Sequence, residues 1–278
     1  MRFTKMHGLG NDFVMVDCFK EKLEEAALPD LARCACDRHF GVGADGVILA
    51  EPSDKADVRM RLFNADGSEA ENCGNGIRCT AKLIYDSGHT QAERITVETV
   101  GRINVLDLYV RDGKVETVRV DMGQPVFQRS ALPMTGDPSA EAVSVPLQVG
   151  DQELEFTCIS MGNPHAVTFV DGVRGYPVEA TGRLVEHHPV FPRRTNVEFI
   201  HVLGPNELDM RVWERGAGET LACGTGACAS LVAAARTGRS ERQATVHLPG
   251  GDLQIEWAED GRVYMTGPAV TVFEGELD

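Results

Sequence analysis

Residues 60–76 read MRLFNADGSEAENCGNG, and residues 210–226 read MRVWERGAGETLACGTG. The two stretches align without a gap at an offset of 223 − 73 = 150 residues. Each consists of an apolar run, a polar turn and a Cys-Gly-x-Gly segment, with Cys73 in the first copy and Cys223 in the second. The repeat indicates an internal duplication, and it predicts one cysteine at the same structural position in each half.

The order of the predicted elements also repeats. Strands surround one helix in each half, over 75–87 and 226–236, and the second helix has almost no polar face, which is typical of a helix inside a core. We therefore predict an α+β protein of two pseudo-symmetric domains, each a curled, mostly antiparallel, barrel-like sheet around a central helix. The predicted domains are 1–122, joined by a C-terminal strand in 268–278, and 123–267, with the active site in the cleft between them.

The composition narrows the classes of partner. A net charge of −15 and a pI near 5.0 argue against nucleic acid as a binding partner, because phosphate binding needs a basic face. No apolar run approaches the length of about 20 residues that a membrane span requires, and the N-terminus lacks the apolar core of a signal peptide. We expect a cytoplasmic protein whose partner is a small molecule, with no nucleic-acid or membrane partner and an edge strand compatible with a homodimer.

Two of the eight cysteines differ from the others in their context. The chain has no Cys-x-x-Cys pair, which disfavours zinc-ribbon and thioredoxin-like sites, and most of the cysteines are expected to be inert core residues. Cys73 and Cys223 each precede a predicted helix, where the backbone N–H groups and the helix dipole lower the pKa of a thiol. The flanking glycines let a ligand approach the backbone closely.

This arrangement suits proton transfer at a carbon next to a carboxylate. Two helix N-termini would hold the carboxylate, one thiolate would take the α-proton, and the opposite thiol would donate a proton to the other face. No phosphate-loop, dinucleotide or metal motif is present, so we expect racemisation or epimerisation with no cofactor and no metal.

The sequence resembles the diaminopimelate epimerase family over nearly its whole length. The motifs that carry the resemblance are KMHGLGNDF (5–13), FNADGSEAENCGNGIRC (63–79), SMGNPHAV (160–167), RTNVEF (194–199), ERGAGETLACGTGAC (214–228), LPGGDLQIEW (248–257) and MTGPA (265–269). The resemblance implies two sheet-wrapped halves and the interconversion of LL- and meso-2,6-diaminopimelate, without pyridoxal phosphate, for lysine and peptidoglycan synthesis.

The resemblance also assigns roles to particular residues. Cys73 and Cys223 match the catalytic pair, and Glu214 and Arg215 match the residues that grip the distal end of the substrate. His165 is expected to assist the base. The remaining substrate contacts are Asn11, Asn64, Gly74, Asn75, Asn163, Asn196, Gly224 and Thr225.

Two alternatives remain open at this point. One is a related two-base enzyme such as a proline or hydroxyproline racemase, although Glu214-Arg215 would then have no second zwitterionic end to hold. The other is a non-enzymatic thiol-redox or metal-binding protein. Gly46 departs from members of the family that carry Gln there, so a polar substrate contact is expected to be missing or replaced by water. The sequence does not distinguish the two cysteines chemically.

Overall fold

The computed structural model of the protein describes residues 1–70 and 73–277. The chain divides into two compact units. Unit 1 comprises Met1–Asp121 and Thr266–Asp278, and unit 2 comprises Met122–Met265. Each unit is built from strands that surround one long helix.

Unit 1 begins with a hairpin of two antiparallel strands. In chain order its elements are β1 Arg2–Gly8, β2 Asn11–Asp17, α1 Leu28–Cys36, β3 Gly46–Glu51, β4 Val58–Asn64, β5 Glu69–Ala70, α2 Gly74–Asp86, β6 Arg94–Thr99, β7 Arg102–Arg111 and β8 Lys114–Gly123. In sheet order, β1 pairs antiparallel with β2, β2 parallel with β3, β3 antiparallel with β4, β4 parallel with β6, and β6 antiparallel with β7.

Unit 2 repeats this order. Its elements are β9 Val145–Val149, β10 Gln152–Ser160, β11 Pro164–Phe169, α3 Val178–Glu186, β12 Asn196–Gly204, β13 Glu207–Glu214, β14 Gly218–Thr220, α4 Gly224–Arg236, β15 Gln243–Leu248, β16 Gly251–Trp257 and β17 Val263–Pro268. The last strand, β18 Val270–Glu276, pairs with β1 in unit 1, as β9 pairs with β10 in unit 2. The pairings from β10 to β16 alternate between antiparallel and parallel, in the same order as those from β1 to β7.

The long helix of each unit is central. Helix α2 packs against β1, β2, β3, β4, β6 and β7, and α4 packs against β10, β11, β12, β13, β15 and β16. Every residue of α4 from Gly226 to Ala234 is buried, because the side chains are nearly all small or apolar and strands surround the helix. The predicted α+β fold, with a curled sheet around a central helix in each half, is confirmed.

The shorter helices cover the other face of each sheet. In unit 1 the apolar side of α1, which includes Leu28 and Ala32, packs on Leu49 and Phe63 of the sheet. In unit 2 Val178 and Val185 of α3 belong to a buried cluster that contains Phe156, Val197 and Phe199. Among the described residues no helix is long and apolar enough to cross a membrane.

Three strands were not predicted from the sequence: β5, β11 and β14. Strands β5 and β14 have two and three residues, too short for an alternating pattern to emerge. Strand β11 begins at Pro164, in a segment whose sequence is typical of a loop, and five of its six residues are buried. A strand buried on both faces reads as a continuous apolar run and shows no alternation.

The glycine one turn into α4 is closely surrounded. A Cβ on Gly226 would lie 2.8 Å from Oε1 of Glu198, 3.0 Å from Cε of Met210 and 3.2 Å from Sγ of Cys223. Gly226→Ala is therefore expected to lower the free energy of unfolding by about 1–2 kcal/mol, since overpacking outweighs the gain in helix propensity. Denaturant titration measures this change. Gly204→Ala is the control, because a Cβ there meets no atom within 4 Å, and an equal loss in both variants would contradict the packing argument.

Candidate active site

Both repeated cysteines cap the central helix of their unit. Cys73 precedes α2 and Cys223 precedes α4, and both residues have extended backbone, with φ of −151° and −124°. This is the conformation of an N-cap residue. The helices begin at Gly74 and Gly224, so Gly74-Asn75 and Gly224-Thr225 form the first turns, where a helix offers N–H groups to an anion.

In unit 1 the structure brings Asn11, Cys73 and Asn75 together. The Oδ1 atom of Asn11 accepts a hydrogen bond from Nδ2 of Asn75 at 3.2 Å and lies 3.6 Å from Sγ of Cys73. The backbone N–H of Gly76 donates to Sγ of Cys73 at 3.4 Å. The asparagine therefore presents its carbonyl oxygen, a pure acceptor, to the thiol.

Charged side chains behind Asn11 set this orientation. Its Nδ2 donates to Oδ2 of Asp45 at 2.7 Å, and Arg38 bridges Asp45 and Asp12 with contacts of 2.8 and 2.7 Å. Burial alone would raise the pKa of the Asp12 carboxyl, but hydrogen bonds and charge from Arg38 and from the buried Lys5 favour its charged form and hold the pKa at about 2. Sequence reasoning did not identify Asp45, since an Asp in a Gly-rich turn is ordinary turn chemistry.

Asn64 lies at the end of β4 beside the departure from the family pattern at Gly46. Gly46 and Asn64 are paired across β3 and β4, and Nδ2 of Asn64 donates to Oγ of Ser68 at 3.0 Å. A Cβ on Gly46 would lie 2.8 Å from both Cδ1 of Leu62 and the carbonyl oxygen of Phe63. A residue with a side chain would therefore fit at position 46 only if Leu62 and the backbone of Phe63 shifted.

In unit 2 a chain of polar side chains leads to Cys223. Oγ1 of Thr225 lies 3.5 Å from Sγ of Cys223 and accepts from Nδ2 of Asn163 at 3.3 Å. Oδ1 of Asn163 is 2.9 Å from Nε2 of His165. The structure therefore brings together four residues that the sequence singled out.

The chain continues beyond them to a carboxyl group. Nδ1 of His165 lies 2.6 Å from Oε1 of Glu198, and both side chains are completely buried. The other oxygen of Glu198 has no hydrogen-bond partner among the described residues. Burial raises the pKa of Glu198, and His165 opposes that shift. Glu198 was not predicted as a site residue. The 150-residue offset aligns it with Ile48, and this replacement of an apolar residue by a carboxylic acid is visible in the sequence.

The residues expected to grip the distal end of the substrate lie together at the end of β13. The backbone N–H of Arg215 donates to Oδ1 of Asn196 at 2.9 Å, and Nδ2 of Asn196 donates to the carbonyl of Pro164 at 2.9 Å. Oε1 of Glu214 accepts from the hydroxyl of Thr220. Arg215 itself is exposed.

The pKa of Cys223 departs from the prediction. Burial raises it well above the usual value, and the carboxyl groups of Glu214 and Glu198 raise it further, whereas the Thr225 hydroxyl opposes them. The prediction of a lowered pKa at this helix N-terminus is wrong for Cys223 in this structure. Desolvation of a buried thiolate outweighs the helix dipole, so the resting side chain of Cys223 is a thiol.

Solved structures of other proteins share the fold over the whole chain. A phenazine biosynthesis protein of the PhzF family from Bacillus anthracis superposes with a TM-score of 0.72 at 19% identity, covering 100% of this chain and 98% of that one. A probable proline racemase from Agrobacterium radiobacter gives 0.70 at 14% identity, with 100% and 92% covered. The chain is therefore a member of the structural class of duplicated α+β proteins with one sheet-wrapped helix in each half.

Sequence comparison identifies the family within this class. The family model described as "Diaminopimelate epimerase" matches residues 3–128 and 157–272, and the chain belongs to the diaminopimelate epimerase family. A relative of that name from Pelotomaculum thermopropionicum is 57% identical over 276 residues, 99% of this chain and 98% of its own. Another from Methanococcus maripaludis is 52% identical and is covered completely, as is this chain. The protein is accordingly an isomerase, and the resemblance inferred from its motifs is confirmed.

Proposed function

We propose that the protein interconverts LL- and meso-2,6-diaminopimelate without a cofactor, with Cys73 and Cys223 as the two acid–base groups. Its relatives of more than 50% identity over the full chain carry the name of this activity. The observation that best supports the roles of the cysteines is their equivalence. Each is the N-cap of the buried helix around which its unit is built.

The reaction needs one group that removes the α-proton and one that supplies a proton to the opposite face. In this proposal a thiolate takes the proton, the electron pair remains on the α-carbon and its carboxylate, and the second thiol protonates the other face. The first-turn N–H groups at Gly74-Asn75 and Gly224-Thr225 hold the carboxylate and stabilise the charge that develops on it. Both sulfur atoms must reach the same carbon.

The distal end of diaminopimelate is a second amino acid group, and Glu214 and Arg215 are suited to hold it. An exposed guanidinium binds a carboxylate through two parallel hydrogen bonds, and the Glu214 carboxylate accepts from an ammonium group. Asn196 fixes the backbone of Arg215, and Asn11, Asn64 and Asn163 supply further contacts, with His165 behind Asn163. A proline-type substrate would leave Glu214 and Arg215 without a ligand.

Deuterium exchange tests the activity. In D₂O the protein is expected to incorporate deuterium at the α-carbon of LL-diaminopimelate and to produce the meso isomer, with no metal or pyridoxal phosphate added. Proline is expected to show no exchange above the rate without enzyme. Exchange into proline alone would favour a racemase of that substrate, and stoichiometric zinc binding without any exchange would favour a metal-binding or redox protein.

We further propose that the enzyme is cytoplasmic, where lysine and peptidoglycan precursors are made, and that it forms a homodimer. The apolar residues Val270, Val272 and Phe273 on β18 are 40%, 55% and 47% exposed, which supports an interface on that strand. Light scattering of the purified chain measures the assembly, and a monomer at all concentrations would contradict the homodimer.

A further inference from the structure

The two halves differ in what lies behind their cysteines. The parallel pairing of β2 with β3 matches Phe13 to Gly46, and that of β11 with β12 matches His165 to Asn196. The positions of Phe13 and His165 are therefore equivalent. A Cβ on Gly76 of α2 would meet Ile48, and one on Gly226 of α4 would meet Glu198.

At these two equivalent positions the units carry side chains of different polarity. Unit 1 places two apolar side chains, Phe13 and Ile48, where unit 2 places the buried pair of His165 and Glu198. The side chains of that pair are 0% exposed. Two ionisable groups buried in a core are costly unless they are matched to each other. Their position directly behind Asn163 and Cys223 points to a role in the site.

The hydrogen-bond geometry restricts where the protons of the pair are. Asn163 directs Nδ2 to Thr225 and therefore Oδ1 to His165. Because that oxygen only accepts, Nε2 of His165 must carry a proton. Nδ1 faces a carboxyl oxygen of Glu198, so one proton lies between them, on Nδ1 or on the carboxyl. In either case the pair has no net charge.

Removal of that proton would reverse the direction of the hydrogen bonds that run from His165 through Asn163 to Thr225. An ionised Glu198 beside a neutral His165 would bind the Nδ1–H tautomer, and Nε2 would become an acceptor. Asn163 would then turn its nitrogen to His165 and its oxygen to Thr225, and the hydroxyl of Thr225 would donate to Asn163 and no longer to Cys223. The pair would also bear a negative charge in a buried site, where Oε2 of Glu198 lacks a partner among the described residues. Burial opposes that state.

We infer that Glu198 and His165 are positioning residues for Cys223. The two side chains share one proton and hold Asn163 in the orientation in which the Thr225 hydroxyl donates to the Cys223 sulfur. Each donor in this chain points toward the sulfur atom. The chain therefore stabilises the thiolate at the moment when Cys223, a buried thiol beside Glu198 and Glu214, gives up its proton.

The arrangement in unit 1 has the opposite polarity. Asp45 draws the nitrogen of Asn11 away from the site, and the carbonyl oxygen of Asn11 faces Cys73. Equivalent asparagines thus present an acceptor to one cysteine and, through Thr225, a donor to the other. The two cysteines are consequently different proton donors and acceptors in the resting enzyme. This inference rests on the proposed two-cysteine function, because it assigns a task to groups behind Cys223.

The protonation of His165 is measured directly by ¹⁵N NMR of the full-length protein labelled at histidine. The signal is assigned by its loss in His165→Gln. We expect Nε2 of His165 to carry a proton in the resting enzyme, because the Asn163 oxygen that faces it only accepts hydrogen bonds. An unprotonated Nε2 with a proton on Nδ1 would overturn the inference, whatever the activity of the enzyme.

Kinetics of three variants test the effect on Cys223. Thr225→Val removes the last donor and is expected to lower kcat for diaminopimelate about fivefold, the contribution of one hydrogen bond, while Thr225→Ser restores most of it. The double replacement His165→Phe with Glu198→Ile copies unit 1 without leaving an unpaired charge, and we expect a similar loss in kcat with KM changed less than about twofold. A double variant with wild-type kcat would overturn the inference.

These outcomes separate the inference from the proposed function. A wild-type protein that exchanges no deuterium into diaminopimelate contradicts the function. An active wild-type protein with the Nδ1–H tautomer at His165 contradicts only the role of the pair. If the double variant does not fold, the NMR measurement on the wild-type protein still decides the question.

Discussion

Replacement of either Cys73 or Cys223 by serine is expected to lower kcat for diaminopimelate epimerisation by about 10²–10⁴-fold, the usual contribution of one general acid or base. Serine has nearly the shape of cysteine, but its hydroxyl is a far weaker acid and cannot hold the negative charge between proton transfers. Each variant retains only one competent group, and inversion needs two. Chromatographic separation of the LL and meso isomers over time measures the rate in both directions.

The appropriate control is the same substitution at an exposed cysteine. Cys34 is exposed on α1, and Cys34→Ser is expected to retain wild-type turnover within about twofold, as surface substitutions usually do. Near-normal turnover of Cys73→Ser or of Cys223→Ser would refute the two-base mechanism. It would leave the assignment to the family intact, because that assignment rests on similarity over the whole chain.

Arg215→Met is expected to lower kcat/KM for diaminopimelate by about 100-fold, mostly through KM. The loss corresponds to the removal of charge-assisted hydrogen bonds to a carboxylate, worth about 3 kcal/mol. Methionine keeps most of the length of the side chain, and the backbone N–H that donates to Asn196 remains. Initial rates at varied substrate concentration give kcat and KM separately.

Arg174→Met provides the matched control, since Arg174 is another exposed arginine of unit 2. Its kinetic constants are expected to stay within about twofold of the wild type. A wild-type KM in Arg215→Met would show that the distal end of the substrate is held elsewhere. A fall in kcat alone would assign Arg215 to the transition state in preference to substrate binding.

Much of the fold could be predicted because the sequence contains an internal repeat, so that each half supports the prediction for the other. The 150-residue offset locates equivalent helices at α2 and α4, and the small apolar residues of α4 identify it as buried. The strands that sequence reasoning did not predict are those with no periodic signal. Strands β5 and β14 are too short, and β11 is buried on both faces and does not alternate between buried and exposed residues.

The candidate site was predictable to a different degree in each half. The cysteines, the asparagines and His165 lie at repeated or motif positions, and the structure brings most of them into contact within their own units. The supporting residues Asp45 and Glu198 were not identified. Their roles follow from distances to Asn11 and His165, and these contacts join segments that are more than 30 residues apart.

The sequence by itself determined that this protein is a duplicated, sheet-wrapped α+β isomerase of the diaminopimelate epimerase family, with a cysteine at the start of each central helix. These properties are encoded locally, in motifs, periodicity and repetition. Only the tertiary structure decided that the two halves are chemically unequal. The protonation of Cys223 depends on its burial, on the carboxyl groups of Glu214 and Glu198 and on the Thr225 hydroxyl, and folding alone brings these groups together, because desolvation and hydrogen bonding act through space.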